Sequence, residues 1–295
     1  MIIMVTAQSN QSTIYTNNSI GQFINSTWIV YKRQLLRLWS SKSRLVSMLV
    51  MPLMWLLIIG QSFDNLFGQL GPSGSSIFGA GIDYVTFMTP GILIMVTMFT
   101  SLFGVISLFY DRDSGYLKNY LIAPISNISI IIGYAIGIYT QVLLQVTIVL
   151  GIGLLIGANI TFTVTNLVAI YVFPIASTFF LSGFAITLAS KAPNVEVFQA
   201  MIMPVSMPLM FLSPIMYPTS NLPYYFKWIA RINPLTFGVE GLRATLFGNS
   251  FASLPLINVD FFVNNVAIFN FLMLFGVGLF FLWIGSRMFL QSLNN

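Results

Sequence analysis

Long apolar stretches alternate with short polar ones along most of the chain, and their lengths predict helices that span a membrane. About twenty apolar residues form one helix across a bilayer, and a charged side chain at the bilayer centre costs roughly 2.5 to 3.5 kcal/mol. We therefore place each span inside a segment without Asp, Glu, Lys or Arg. Six spans are predicted, at about 45–63, 84–110, 129–157, 166–190, 197–217 and 263–286.

The residues before the first span divide into two parts. Residues 1–19 are rich in Ser, Thr, Asn and Gln and have no apolar run, so they are expected to form a disordered polar tail and not a secretory signal. In residues 20–44, apolar side chains recur at helical spacing with bases between them. These apolar positions are Phe23, Trp28, Tyr31, Leu35, Leu36 and Trp39. The pattern predicts an amphipathic helix on the membrane surface, with either an anchoring role or a role in gating.

The composition supports an all-α membrane protein whose transmembrane domain covers residues 45–290. Hydrophobic residues make up 57% of the chain and charged residues 6%, whereas a soluble domain carries roughly 25% charged residues. The net charge of +5 is spread thinly, and nucleic acid is therefore not expected as a partner. The chain has no Cys and no His, which excludes thiolate or imidazole catalysis and metal ligation by these groups. The chain is expected to be no enzyme and to bind no cofactor or metal ion itself.

The positions of Lys and Arg predict the orientation. Short cytoplasmic flanks retain positive charge, and the segment before the first span carries five bases and no acid. This places both termini in the cytoplasm and nine of the twelve bases on the inner side of the cell membrane. Three bases, Lys227, Arg231 and Arg243, fall on the outer side. Either the span count is off by one, or these bases lie on amphipathic pieces whose long side chains reach the lipid headgroups, and we prefer the second explanation.

Two segments between spans have patterns of their own. Residues 111–126, DRDSGYLKNYLIAPIS, form the docking segment: they predict a short cytoplasmic helix between Gly115 and Pro124, suited either to a soluble partner or merely to a polar loop. Residues 213–248 contain four prolines, which interrupt any helix. This outer gate segment is expected to form re-entrant helices that dip into the membrane without crossing it.

Several absences limit the function classes. A phosphate-binding loop of the type GxxxxGK[ST] needs a Gly-Lys pair, and this dipeptide does not occur. If ATP drives this protein, another chain must hydrolyse it. The predicted spans contain no ionisable Asp, Glu, Lys or Arg, which disfavours a carrier that moves ions or protons through its spans.

The two segments resemble those of the ABC-2 type transporter permeases, the type 2 ABC exporters. In the docking segment, Asp111-Arg112-x-x-Gly115 is similar to that family's acidic-Arg-x-x-Gly-Thr loop, with Asp where Glu is commoner and Tyr116 where Thr is commoner. In the outer gate segment, Ser213-Pro214, Asn233-Pro234-Leu235-Thr236 and Glu240-Gly241-Leu242-Arg243 are similar to the family's closing signature. The likeness is greatest to its drug- and polysaccharide-export branch.

The resemblance implies an ATP-driven exporter of a drug-like, lipid or polysaccharide substrate. It implies three partners: an ABC ATP-binding subunit that holds ATP and Mg²⁺, a second permease copy, identical or not, and the lipid bilayer. The docking residues carried over are Asp111, Arg112, Asp113, Gly115, Leu117, Pro124 and Ser126. The outer gate residues are Pro214, Pro218, Asn233, Pro234, Glu240 and Arg243, of which Asn233 and Arg243 have a purely structural role as an equal alternative. An ion-coupled carrier and a membrane scaffold that recruits a soluble protein remain the alternative functions.

Overall fold

The computed structural model describes residues 19–40, 42–69, 82–114, 127–218, 223–248 and 265–292. Within these ranges the chain is helical and has no strand, which confirms the all-α fold class. The α-helices, numbered in chain order, are α1 (Ser19–Ser40), α2 (Lys42–Met54), α3 (Gln61–Gln69), α4 (Tyr84–Gly104), α5 (Ile106–Asp113), α6 (Asn127–Ile156), α7 (Val164–Ala189), α8 (Val195–Phe211), α9 (Tyr224–Ile232), α10 (Pro234–Phe247) and α11 (Val266–Ser292). A π-helical segment, Trp55–Gly60, joins α2 to α3.

Five helical stretches are long and apolar enough to cross a membrane. They correspond to predicted spans one, two, three, four and six, and they are Leu49–Gln69, Tyr84–Arg112, Ile128–Ile156, Val164–Ala189 and Val266–Phe289. The chain is therefore a multi-pass membrane protein. The first stretch combines α2, the π-helical segment and α3, whereas the second combines α4 and α5 across a break at Val105.

Helix α8 occupies the place of predicted span five but has only 17 residues. At 1.5 Å per residue it is roughly 25 Å long, which is less than the roughly 30 Å hydrocarbon core. Pro204 and Pro208 remove two amide donors from its second half, and the chain is no longer helical beyond the turn that follows Phe211. The six-span count stays a prediction.

Helix α4 lies at the centre of the bundle, and almost all of its side chains are buried. It packs against α6, α7 and α10. Two of its threonines are satisfied within the helix, because the hydroxyls of Thr89 and Thr97 donate to the carbonyls of Val85 and Leu93 at 2.7 and 2.8 Å. Such a helix is shielded from lipid by its neighbours.

Helices α7 and α11 make the most extensive helix pair of the described chain. Glycines bring their backbones together: a Cβ on Gly278 would lie 2.8 Å from the amide nitrogen of Phe180, and one on Gly285 would lie 2.7 Å from the carbonyl oxygen of Gly183. Small residues permit this approach between membrane helices. The rings of Phe180 and Phe281 meet edge to face at 5.2 Å beside the contact.

Helix α1 forms where the amphipathic helix is predicted and lies along α6. Gly133 of α6 faces Val30 of α1, and Gly137 faces Gln34, so these glycines serve packing within the chain. The side of α1 away from α6 exposes Trp28, Trp39 and further apolar side chains. That this apolar side rests on a membrane surface stays a prediction.

Candidate functional site

The carboxyl-terminal end of predicted span two is organised around one buried carboxylate, Asp111. Its side chain is completely buried, and its Oδ1 accepts hydrogen bonds from Arg33 and Arg37, each at 2.6 Å. The hydroxyl of Tyr134 donates to Oδ2. Arg37 also donates to the carbonyl oxygen of Ser107 at 3.3 Å. Three helices, α1, α5 and α6, therefore meet at one carboxylate.

The helical spacing explains why both arginines reach the same acid. Arg33 and Arg37 are four residues apart, so they lie one above the other on a single face of α1. Their side chains remain 24% and 29% exposed, whereas the carboxylate is closed off. A buried charge requires such partners, because removing it from water without them costs several kcal/mol. The side of α1 that faces α5 and α6 is thus the side that carries Arg33 and Arg37.

Asp111 therefore has no surface that a soluble protein can touch directly. Its contacts instead tie the first residue of the docking segment to α1 and α6. The neighbouring Arg112 points elsewhere: its guanidinium donates to the carbonyl oxygen of Pro193 and lies 4.8 Å from the centre of the Phe109 ring. Arg112 thereby links α5 to the turn between α7 and α8.

Of the remaining docking residues, the structure describes one. Asp113 is the last residue of α5. Gly115, Leu117, Pro124 and Ser126 lie outside the described residues. The docking assignment stays a prediction for all of these positions.

In the outer gate segment, Arg243 of α10 is the central side chain. It is 1% exposed, and its guanidinium donates to the carbonyl oxygens of Phe87 at 2.9 and 3.1 Å, Pro214 at 2.5 Å and Ile215 at 3.1 Å. The guanidinium also lies 3.7 Å from the centre of the Phe87 ring. Arg243 therefore fixes the start of the outer gate segment to α4, and it explains one of the three bases on the predicted outer side.

Other contacts hold the start of the outer gate segment against α4 in the same region. A Cβ at Gly91 of α4 would overlap the carbonyl oxygen of Ile215 and lie 2.8 Å from its Cα, so only glycine allows this approach. The hydroxyl of Tyr84 donates to the carbonyl oxygen of Met216 at 3.0 Å. The hydroxyl of Tyr217 donates to the carbonyl oxygen of Phe211. Pro218 follows, half-buried.

Asn233 and Pro234 form the corner between α9 and α10. The side-chain oxygen of Asn233 accepts from the amide of Leu235 at 3.0 Å and caps α10, while its amide donates to the carbonyl oxygen of Leu209 at 2.7 Å. Pro234 occupies the first turn of α10, where a missing amide hydrogen costs nothing. Asn233 is thus a structural cap. Glu240 is buried one turn before Arg243, on the same helix.

The contacts of α9 and α10 also give their depth. The corner at Ile232 and Pro234 borders Phe180 and Val277, which lie near the middle of α7 and α11. Arg243, by contrast, reaches Phe87, in the first turn of α4. Helix α10 therefore runs from the middle of the bundle to the level at which α4 begins.

A cavity of about 430 Å³ lies between α2, α4, α5 and α8, a region that the sequence analysis did not single out. Among the described residues that line it there is no Asp, Glu, Lys or Arg, and the polar groups belong to a serine, a tyrosine and a glutamine. The lining residues are Ser47, Met51, Phe99, Phe103, Ile106, Tyr110, Gln199, Met203 and Met207. Unbranched methionine side chains adapt to differently shaped apolar molecules, and the volume falls within the roughly 300 to 1,000 Å³ of small-molecule sites.

Comparison with known proteins relates the chain to one protein family. The family model described as ABC-2 type transporter matches residues 25–247. The chain is 28% identical over 246 residues to a protein named putative transport permease ycf38 from Cyanophora paradoxa, covering 83% of this chain and 82% of the relative. It is 25% identical over 232 residues to the inner membrane transport permease YadH of Escherichia coli K12, covering 76% and 83%. A probable multidrug ABC transporter permease, YbhR of the same organism, is 26% identical over 178 residues, covering 58% and 48%.

Proposed function

The chain belongs to the ABC-2 type transporter family, and from this premise we propose that it is the permease subunit of an ATP-driven exporter in the cell membrane. The observation that carries the proposal is the family match itself, which spans residues 25–247 and so includes the docking segment and all but the last residue of the outer gate segment. Permeases of this family normally pair with an ATP-binding subunit. Here that subunit would hold ATP and Mg²⁺, and two permease copies would enclose the transport path, with both termini cytoplasmic.

The contacts of Asp111 support a route for coupling. In this proposal the ATP-binding subunit contacts the docking segment, which begins where Asp111 ties α5 to α1 and α6. A displacement of the docking segment is then passed to α5 and α1 together, because the two arginines and the carboxylate move as one unit. Arg112 passes the same displacement to the turn before α8 through Pro193.

The contacts of Arg243 support a gate at the other end of α4. The re-entrant arrangement proposed for α9 and α10 agrees with the depth difference between Ile232, at the middle of the bundle, and Arg243, at the start of α4. Arg243 then acts as a positioning residue, since its hydrogen bonds within the described chain go to backbone carbonyls. Movement of α4 would carry the start of the outer gate segment with it.

The cavity between α2, α4, α5 and α8 supports an apolar cargo. A drug-like or lipid molecule can exchange water for its methionine and phenylalanine side chains, whereas a charged polysaccharide would find no ion-pairing partner there. Of the substrate classes that the sequence leaves open, we therefore propose the lipophilic ones. Ser47, Tyr110 and Gln199 would fix the orientation of one or two polar groups on the cargo.

The test is to purify the tagged chain from its native membranes in mild detergent and to measure ATP hydrolysis by the proteins that accompany it. Arg112→Ala removes the link to Pro193 and is expected to uncouple ATP hydrolysis from transport while the chain still folds. Lys191→Ala is the matched control, because Lys191 is an exposed base on the same cytoplasmic turn.

Two results would contradict the proposal. A stable complex without an ATP-binding subunit would favour a scaffold, or a carrier if transport then followed an ion gradient. Unchanged transport and unchanged stimulation of ATP hydrolysis in Arg112→Ala would refute the docking assignment alone.

A further inference from the structure

Two main-chain carbonyls of α8 lack the amide donor that an α-helix normally supplies. In an α-helix the carbonyl of each residue accepts from the amide of the fourth residue ahead. At Pro204 and Pro208 this amide is missing, and the carbonyls affected are those of Ala200 and Pro204. The one hydroxyl on α8, that of Ser206, donates instead to the carbonyl oxygen of Met203 at 3.1 Å. Helix α8 therefore carries two acceptors that its own amides do not satisfy.

Both carbonyls lie on the open side of α8. The buried side chains of this helix form one stripe, in which they recur every four residues: Phe198, Ile202, Ser206 and Met210. Ala200 and Pro204 are exposed, and at roughly 100° per residue they lie on the side away from that stripe. In hydrocarbon no water is present to satisfy a free carbonyl. These two acceptors therefore call for a donor from outside α8.

The two acceptors border the cavity of about 430 Å³ between α2, α4, α5 and α8. Met203 and Met207 line this cavity and are 51% and 42% exposed, so the cavity is open along this edge of α8. A helix carbonyl points toward the helix C-terminus, which brings the oxygen of Ala200 to about the level of Met203 and that of Pro204 to about the level of Met207. In each pair the two residues are three positions apart, an offset of about 60° around the axis. Each acceptor thus lies beside a lining methionine.

We propose that the carbonyls of Ala200 and Pro204 bind the N–H or O–H groups of the cargo. This proposal rests on the exporter function proposed above and narrows the cargo to apolar molecules that carry hydrogen-bond donors, such as amines, amides and alcohols. The apolar part of the cargo packs against the methionine and phenylalanine side chains of the cavity. Its donor group exchanges water for a carbonyl that is otherwise unsatisfied. A site with such unpaired polar groups discriminates against molecules that lack the matching group.

Carbonyl chemical shifts test the two acceptors one at a time. The dipeptides Ala-Met and Pro-Val each occur once in the chain, at residues 200–201 and 204–205. A ¹³C label on the carbonyl of Ala with ¹⁵N on Met, or on the carbonyl of Pro with ¹⁵N on Val, therefore isolates each signal. The full-length chain in nanodiscs is titrated with indole, which has one N–H group, or with N-methylindole, which has none. Because a hydrogen bond deshields a carbonyl carbon, we expect indole to move both signals to higher chemical shift and N-methylindole not to do so.

Variants that restore one amide at a time give the matched comparisons. In Pro208→Ala the new amide is available to the carbonyl of Pro204, whose signal should begin at higher chemical shift and lose its response to indole, while the signal of Ala200 still responds. Pro204→Ala should have the same effect on the signal of Ala200. Pro174→Ala restores an amide at a buried proline inside α7 and should leave both responses to indole as they are in the parent.

Three results would overturn the proposal. The first is an equal response of the two signals to indole and N-methylindole, and the second is no response to either compound. The third is a pair of signals that Pro204→Ala and Pro208→Ala leave at the parent position, since the carbonyls would then already be satisfied. The measurement needs neither ATP nor an ATP-binding subunit, so its failure would leave the exporter function standing, and a failure of the exporter function would leave the measurement valid.

Discussion

The contact between α1 and Asp111 leads to a quantitative prediction. Asp111→Asn keeps the size of the side chain but removes the charge that Arg33 and Arg37 neutralise. Removing one partner from a fully buried ion pair costs about 3 to 5 kcal/mol. The arginines are about one-quarter exposed and can regain water, which lowers the expected cost to about 1 to 3 kcal/mol.

This loss should appear as local opening of α1 and not as unfolding of the chain, because Val30 still packs against Gly133. At about 1.4 kcal/mol per factor of ten, amide hydrogen exchange in residues 23–40 should accelerate about 5- to 150-fold. The measurement is hydrogen–deuterium exchange with mass spectrometry on the chain in nanodiscs. Exchange in α7 and α11 should not change.

Two comparisons make the result decisive. Asp64→Asn makes the same chemical change at a half-buried acid of α3 and should leave α1 unaffected. Tyr134→Phe removes one hydroxyl donor but no charge, so it should accelerate exchange less than Asp111→Asn does. If exchange in α1 changes by less than twofold in Asp111→Asn, or if Asp64→Asn has the same effect, the ion pairs do not hold α1.

Three further predictions concern the gate and the cavity. Arg243→Lys should lower the thermal midpoint of the purified chain, since an ammonium cannot span the separate carbonyls that the guanidinium joins; recovery of the parent midpoint would contradict that function of Arg243. Gly91→Ala should destabilise through overlap with the Ile215 carbonyl, whereas Gly68→Ala, which meets nothing within 4 Å, should not; equal thermal midpoints for the two would refute the contact. Met203→Trp should fill part of the 430 Å³ cavity and weaken stimulation of ATP hydrolysis by apolar compounds, while Met203→Leu should preserve it; the same stimulation in both variants would remove the cavity from the transport path.

The lengths of the segments without charged residues predicted the helices well, because a bilayer requires long uncharged stretches in the helices that cross it. Asp83 and Asp111 delimit predicted span two, and the structure has helix from Tyr84 to Arg112 with a single break. The rule was less effective for α8, where the segment free of charge continues but Pro204 and Pro208 withhold the amides that a longer helix needs. The length and charge of a segment reflect whether lipid or water surrounds the helix. Proline instead limits the helix by removing backbone hydrogen bonds.

The partners within the sites were harder to foresee. Arg33 and Arg37 fitted the positive-inside pattern completely, so nothing in the sequence alone assigned them to Asp111. Their four-residue spacing and the acid at the end of span two were the available signals. The cavity gave no signal at all, because methionine and phenylalanine recur in most of the predicted spans, and only the fold brings Met51, Phe103 and Met207 to one place.

The contacts of Arg243 and of Asp111 lie at opposite ends of one helical stretch, α4 followed by α5, and this determines how the two sites can communicate. From Tyr84 to Arg112 the helix is about 43 Å long at 1.5 Å per residue, with Arg243 bound at Phe87 and the arginines of α1 bound at Asp111. Val105 breaks its hydrogen-bonded ladder between α4 and α5, directly beside residues that line the cavity. A tilt of α5 can therefore change the cavity without moving the gate, whereas a shift of the whole element along its axis moves both. In the proposed exporter, coupling by the second motion requires α4 and α5 to remain aligned, so we expect the break at Val105 to be the point at which cargo in the cavity favours one motion over the other.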